Sequence, residues 1–275
     1  MRKIVSSVDS GLKTRRELWA AIIPAAGRGS RLGFNGPKIL YPILGRTMLE
    51  WLYDVLNPLV SQIVVVAAPH HRLQVEEAVT RLLSKRAVAG RGSIVVCEQS
   101  EPRGMADAVL CAESRVTKLN ALVIWGDQVT VQSPTLQACQ ALHEARPNAQ
   151  LTLPTVMRPE PYIHIERGSD DRIVRVLQSR EGEVQVLRGE NDCGVFCFNS
   201  KSLFQTLRNE ASVGAKTGEF NLLPLLPKFE AGEGSVATLR LDDLDETVGV
   251  NTKEDAARVE AILSSRTKLN RTKHG

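Results

Sequence analysis

The sequence predicts an α/β protein built on a doubly wound, mostly parallel mixed sheet, with a smaller β-rich extension in its second half. Three observations carry this. Apolar strand-like runs alternate with helix-like segments through the first half. The first of those runs empties directly into a glycine-rich turn. From about residue 148 the pattern changes to short segments of alternating polarity.

The elements follow in order. Leu18 to Ala25 reads as a buried strand. Thr47 to Val60 has helical spacing, with Met48, Leu49, Leu52, Val55 and Leu56 on one face. Gln62 to Ala67 is a second buried strand and Leu73 to Leu83 a helix. Ser93 to Cys97 is a third strand and Met105 to Ser114 a helix; Ala121 to Trp125 is a fourth strand and Thr135 to Ala145 a further helix. Right-handed crossovers then favour a parallel sheet. Ligands of such sheets bind beyond the carboxyl ends of the strands, and Gly27, Gln99 and Asp127 each follow one of those ends. Gln150 to Leu153, Tyr162 to Glu166, Arg172 to Leu177 and Gly194 to Phe198 make the β-rich extension, and Gly168-Ser169-Asp170-Asp171 has the composition of a hairpin turn. The expected organisation is a basic N-terminal arm over 1–17, one domain over 18–262 and a basic tail over 263–275. The domain divides into a first half (18–147) and a β-richer second half (148–262). Arm and tail read as solvated and poorly ordered.

The glycine-rich turn is Ala25-Ala26-Gly27-Arg28-Gly29-Ser30-Arg31-Leu32-Gly33, followed by Gly36-Pro37-Lys38. A turn of this kind exposes several backbone N–H groups together, a nest suited to phosphate oxygens. Arg28, Arg31 and Lys38 add cations that suit a polyphosphate. The spacing is neither the G-x-G-x-x-G of dinucleotide-binding folds nor a P-loop. A nicotinamide-dependent oxidoreductase would therefore rest on the turn alone.

Composition narrows the partners. The net charge of +4 over 275 residues suits a small anionic substrate and falls short of the dense basic patch of nucleic-acid binding. The five cysteines, Cys97, Cys111, Cys139, Cys193 and Cys197, fit no zinc or redox spacing and read as buried reduced thiols. The first 17 residues lack the apolar core of a signal peptide, and no apolar run is long enough to span a membrane. A soluble, cytoplasmic protein is expected, acting without nucleic acid or membrane. Its oligomeric state is left open, a homo-oligomer included.

The string Ala25 to Arg31 with Pro37-Lys38 resembles the signature of the sugar-phosphate nucleotidyltransferases, the MobA-like superfamily, whose fold is Rossmann-like. The chain is most similar to the uridylyltransferase domain of the bifunctional N-acetylglucosamine-1-phosphate uridylyltransferases. Further blocks follow in the family's order: Glu98-Gln99 with Gly104-Met105-Ala106-Asp107-Ala108, Val123 to Asp127, Pro159 to Ile165, Asn191 to Phe196, Gly218-Glu219-Phe220 and Val248-Gly249-Val250-Asn251. The likeness runs from about residue 19 to about 262, and no acetyltransferase hexapeptide repeat follows within the chain.

The resemblance implies attack by a phosphate or phosphonate oxygen of an acceptor on the α-phosphorus of a nucleoside triphosphate, with pyrophosphate leaving. Such chemistry needs positioning, cations and a divalent metal rather than a nucleophilic side chain. It assigns catalysis to Arg31 and Lys38. Nucleotide binding falls to Ala25, Ala26, Gly27, Arg28, Gly29, Gln99, Gly104 and Gly126, with Gln99 reading the base through an amide that both donates and accepts. Asp127, a hard oxygen at a strand end, and Asn251 would hold Mg²⁺. Tyr162, Gln178, Arg180 and Asp192 would meet the acceptor, Arg180 its phosphate.

The chain departs from its relatives at the substrates. Glu101-Pro102-Arg103-Gly104 stands where they have a compact Gly-Thr-Gly, so UTP, CTP and dTTP all remain. Ile163 follows Tyr162 where they carry glycine, Gln178 stands for their acceptor glutamate, and Asp192 for the asparagine of their Asn-Thr-Gly. These changes disfavour N-acetylglucosamine 1-phosphate. A different sugar 1-phosphate, a polyol or amine phosphate, or a phosphonate remains. The competing expectation is a nucleotide-binding regulatory or subunit protein of the same fold without turnover, against which Arg31, Lys38, Asp127 and Asn251 speak.

Overall fold

A computed structural model describes residues 15–27, 29–86, 92–210 and 213–272. In chain order the strands are β1 (Trp19–Pro24), β2 (Pro42–Ile43), β3 (Arg46–Thr47), β4 (Gln62–Ala67), β5 (Ser93–Glu98), β6 (Asn120–Ile124), β7 (Leu151–Pro159), β8 (Ile163–Arg167), β9 (Ile173–Gln178), β10 (Arg188–Asp192), β11 (Val195–Asn199) and β12 (Val236–Leu241). The central sheet runs β10-β7-β11-β6-β1-β4-β5, with β12 along the other edge of β7. Its β6-β1-β4-β5 portion is parallel. β11 pairs antiparallel with β6 and β7, and β10 antiparallel with β7. The sheet is thus mixed and mostly parallel, as expected, with its parallel run in the first half of the chain.

Both faces are covered, as a parallel sheet requires. On β1, Trp19, Ala21 and Ile23 join one core and Ile22 the other, the two-residue alternation of a strand buried on both sides. The first core packs under the helices Met48–Leu56, Arg72–Ser84 and Ser133–Glu144, the second under Met105–Cys111 and Ser200–Asn209. Thr47 opens the first helix with a reciprocal capping box to Glu50. Helix Met105–Cys111 ends before the expected Ser114 and is followed by a 3-10 turn over Glu113–Arg115.

The β-rich extension is the antiparallel pair β8–β9, with Asp171 at φ 64° in its turn, packed beside β10. The expected tail is different. Residues from 263 to Thr272 continue the helix Lys253–Thr272. Ile262 and Leu263 are buried, and Arg266 donates to the Thr130 carbonyl at 2.5 Å and to Asp243 Oδ2 at 2.9 Å. Charge composition suggested a solvated end, but this apolar pair anchors it. Of the expected arm only residues 15–17 are described. Arg15 pairs with Glu144 at 2.6 Å and Arg16 donates to the Val60 carbonyl at 2.8 Å.

Candidate active site

β1 ends at Pro24, and the chain turns over the sheet edge with Ala25 N–H still bonded to the Val66 carbonyl at 2.8 Å. Ala26 and Gly27 lie at the surface of that turn; Arg28 lies outside the described residues. Gly29 adopts φ 58°, and a Cβ there would sit 2.9 Å from Lys38 Cβ. Glycine thus lets the turn fold back onto Lys38. Pro37, extended at ψ 131°, launches the 3-10 turn Lys38–Leu40 and aims Lys38 inward.

The lysine ammonium is the hub. Lys38 Nζ donates to Asp127 Oδ2 at 2.6 Å and to Asn251 Oδ1 at 2.9 Å. Arg31 approaches the same Asn251 oxygen at 3.4 Å. Asp127 follows β6, and Gly126 before it would clash as any larger residue, its Cβ position lying 3.0 Å from the Pro24 carbonyl. Val250 N–H donates to the Asp127 carbonyl at 3.1 Å, Gln128 Nε2 to the Glu246 carbonyl at 2.8 Å and Thr130 Oγ1 to the Val248 carbonyl at 3.0 Å. These bonds lash the segment leading to Asn251 to the segment carrying Asp127. Asp255 Oδ2 accepts from the backbone of Asn251 and Thr252, both at 2.9 Å. Asp127 caps no helix.

The donor set suits a hard divalent cation. A carboxylate oxygen and an amide oxygen already converge on one positive centre, the Lys38 ammonium. Mg²⁺ needs few protein ligands beyond this, since waters and phosphate oxygens complete its shell. Among the described residues no cluster of three or more His, Cys, Asp or Glu offers another metal site.

Beside this hub opens a cavity of about 450 Å³, the size of a small-molecule site. Arg31, Asp127, Asn251, Tyr162, Gln178, Arg180 and Asp192 all line it. Its wall is built by β10 and the β8–β9 hairpin. Asn191 Oδ1 accepts from Ile163 N–H at 3.0 Å, holding Tyr162 at the rim, where it is exposed. Asp192 is buried, and its Oδ1 accepts from Gly194 N–H at 2.7 Å. Burial pushes its carboxyl up to about 6, only partly offset by that hydrogen bond. Trp125 is half-buried; it packs on Phe196 at 5.1 Å and lines the cavity too.

Two sequence expectations change. Gln99 is buried, and its Nε2 donates to the Gly104 carbonyl at 3.0 Å and to Asp107 Oδ2 at 2.8 Å. The amide protons tie Gln99 to the end of the 101–104 loop and to the helix Met105–Cys111 that follows it. Arg180 is engaged as well. It donates to Glu219 Oε2 at 2.8 Å, to Asn221 Oδ1 and to Gln178 Oε1 at 3.3 Å. It therefore bridges the cavity wall to the 213–222 loop. Glu181 joins this seam, and Glu183 closes the turn after Gln178. Glu181 accepts from Thr217 Oγ1 at 2.6 Å, and Glu183 from Gln178 N–H at 3.0 Å. Gly104, at φ 120°, lies so close to Phe220 that a Cβ would sit 2.5 Å from its carbonyl oxygen.

Arg158, Asn221, Thr247, Thr252, Asp255 and Arg258 also line the cavity and were not singled out on the sequence. Only the helical spacing of Thr252, Asp255 and Arg258 could have flagged part of this set.

The family model of the MobA-like NTP transferase domain matches residues 21–209. The chain belongs to that family. Bifunctional protein GlmU of Listeria monocytogenes serotype 4a (strain HCC23) is 28% identical over 261 residues, covering 93% of this chain and 54% of the relative. Bifunctional protein GlmU of Streptococcus equi subsp. zooepidemicus is 30% identical over 250 residues, covering 90% and 52%. This MobA-like chain therefore spans about half the length of those curated relatives. A solved structure of CMP:2-keto-3-deoxy-manno-octonic acid synthetase complexed with CTP superposes with a TM-score of 0.66 at 16% identity, over 90% of this chain and 99% of that one. The fold is thus shared with this nucleotide-bound structure. Among the described residues no helix is long and apolar enough to cross a membrane.

Proposed function

We propose that this protein is a Mg²⁺-dependent nucleotidyltransferase. It would transfer a nucleoside monophosphate from UTP, CTP or dTTP to a sugar 1-phosphate or a related small phosphate or phosphonate, releasing pyrophosphate. The observation that carries the reading is the Lys38 ammonium seated between Asp127 Oδ2 and Asn251 Oδ1, beside Arg31, at the mouth of the glycine turn.

In this reading the nucleotide lies along the turn. Backbone N–H groups of Ala26, Gly27 and Gly29 would face the phosphates, and the Gln99 Oε1 acceptor would meet an N–H of the pyrimidine. Arg31 bears on the departing pyrophosphate. Lys38 bears on the α-phosphate, where charge builds as the acceptor oxygen bonds to phosphorus and the bridging oxygen leaves with its electron pair. Fixed cations of this kind stabilise the transition state without reorganising. Asp127 and Asn251 would hold Mg²⁺, which when bound neutralises phosphate charge. Tyr162, Gln178 and Asp192 would contact the acceptor. The buried Asp192 suits a hydroxyl or amine, and Ile163 occupies space that a glycine would leave open. Arg180 keeps this wall in register.

The test is pyrophosphate release with Mg²⁺, crossing UTP, CTP, dTTP, ATP and GTP against sugar 1-phosphates, polyol phosphates, phosphocholine and phosphonates. Release that requires one pyrimidine nucleotide together with one acceptor supports the reading. Nucleotide binding with no release across the panel supports the non-catalytic alternative.

A further inference from the structure

Two arginines in the cavity have no use in the reading above. Arg158 sits near the end of β7, on the strand whose neighbour β10 carries Asn191 and Asp192. Arg258 stands on the helix Lys253–Thr272, where Thr252, Asp255 and Arg258 follow one face at three-residue steps and all line the cavity. Arg158 donates to Thr247 Oγ1 at 3.2 Å and to the Pro159 carbonyl at 3.4 Å. Those bonds orient the guanidinium without neutralising it. Among the described residues neither arginine has a carboxylate partner. Several other arginines of the second half are paired. Arg167 pairs with Glu190, Arg180 with Glu219, Arg240 with Asp171 and Arg266 with Asp243. Asp255, which lines the same cavity, keeps Oδ2 on backbone N–H groups of Asn251 and Thr252.

Two guanidiniums facing one cavity repel each other, and the charge of Arg258 helps hold the Arg158 guanidinium below its usual range, after burial. An arrangement of that kind is favourable once an anion lies between the two. A second observation points the same way. Asn221 is 1% exposed, lies on the wall of the same cavity, and its Nδ2 has no hydrogen-bond partner. Buried amide protons are nearly always satisfied, so this donor also calls for an acceptor-rich group.

We propose that Arg158 and Arg258 form a two-guanidinium seat for the phosphate or phosphonate of the acceptor, a role the sequence pattern had suggested for Arg180. The proposal rests on the transferase reading in supposing that an acceptor binds here. Guanidinium forks match the oxygens of such a group two at a time. Arg158 stands on the strand paired with β10, which carries Asp192, and Arg258 on the helix that follows Asn251.

The experiment is calorimetric titration of the full chain with inorganic phosphate and with methylphosphonate, with Mg²⁺, alone and with saturating UTP, CTP or dTTP. Arg158→Gln/Arg258→Gln is compared with wild type, and melting temperatures check folding. The expected result is phosphate binding by wild type that weakens at least tenfold in the double variant, with nucleotide affinity unchanged within twofold. Arg158→Lys/Arg258→Lys, which keeps charge and loses the fork, should fall between. Unchanged phosphate affinity in the glutamine variant, or no phosphate binding by wild type, overturns the seat. An equal loss of nucleotide affinity overturns it too, by assigning the arginines to the triphosphate. If wild type binds no nucleotide, the transferase reading fails while the phosphate arm still decides the seat.

Discussion

The Lys38 ammonium and the Asp127 carboxylate, 89 residues apart in sequence, meet at 2.6 Å. Both are only partly exposed, at 17% and 19% of their side chains, so the pair is shielded from much of the screening that weakens surface ion pairs. Its consequence is that the centre of the site is already charge-balanced, with the oxygens of Asp127 and Asn251 drawn toward one cation.

Removing the lysine charge separates chemistry from folding. Lys38→Met is expected to lower the rate of pyrophosphate release at least about 100-fold, the scale of losing one preorganised charge at a reacting centre. Stability should fall by no more than about 2 kcal/mol, the worth of one charged hydrogen bond. Steady-state kinetics and urea unfolding read the two effects.

Asp127→Ala is expected to abolish Mg²⁺-dependent release while the melting temperature stays within a few degrees of wild type. Chelation by EDTA should likewise stop release and leave melting nearly unchanged, because Lys38 balances the carboxylate when metal is gone. Unfolding of the variant would make Asp127 a structural residue.

Asp192 makes stability pH-dependent. Its carboxyl is raised from 3.8 to about 6 by burial. The folded chain thus binds this proton more tightly than the unfolded chain. Its contribution is fully present below pH 3.8, declines as pH rises, and is lost above about 6. Asp192→Asn, which retains an oxygen for Gly194 N–H, removes the titration. Relative to wild type, the variant should gain roughly 3 kcal/mol between pH 4 and pH 7, at about 1.4 kcal/mol per unit. Urea unfolding of both proteins across that range checks it, and a pH-independent difference would contradict it.

Gly104 and Gly27 should respond oppositely to alanine. A Cβ at Gly104 meets the Phe220 carbonyl oxygen at 2.5 Å and its nitrogen at 2.7 Å, at φ 120°. Gly104→Ala is expected to cost roughly 3 kcal/mol and to weaken nucleotide binding, since the loop it anchors is held by Gln99. A Cβ at Gly27 meets nothing within 4 Å, so Gly27→Ala should stay within about 0.5 kcal/mol in folding. Denaturation and nucleotide titration of both variants decide.

The parallel half was legible because its signals are local. β1, β4, β5 and β6 are continuous apolar runs, and their carboxyl ends pointed to the edge where Asp127 and the glycine turn lie. The rest is set by distant partners. β12 pairs with β7 from 85 positions away at Val236 and Leu151, and neither its composition nor its spacing marks it. The cationic character of 263–272 masked the apolar pair Ile262 and Leu263 that pins the last helix. Arg180 lines the cavity and Gln99 is tied to Gly104. Their hydrogen bonds depend on Asp107, Glu219 and Asn221, contacts no spacing rule encodes. Arg158 and Arg258 escaped notice because an arginine on a strand and another on a helix gain meaning only when folding brings them to one cavity.

Asn251 follows Lys38 by 213 residues, and the Val250 bond to the Asp127 carbonyl draws the late segment onto the early one. On the ribosome, the glycine turn, Lys38 and Asp127 emerge well before their last companion. A chain cut short ahead of residue 250 carries the glycine turn but lacks one of the two oxygens that hold the Lys38 ammonium. Translation therefore completes the Lys38–Asp127–Asn251 cluster only once residue 251 has emerged, and a product truncated before it would keep the turn with the cluster incomplete.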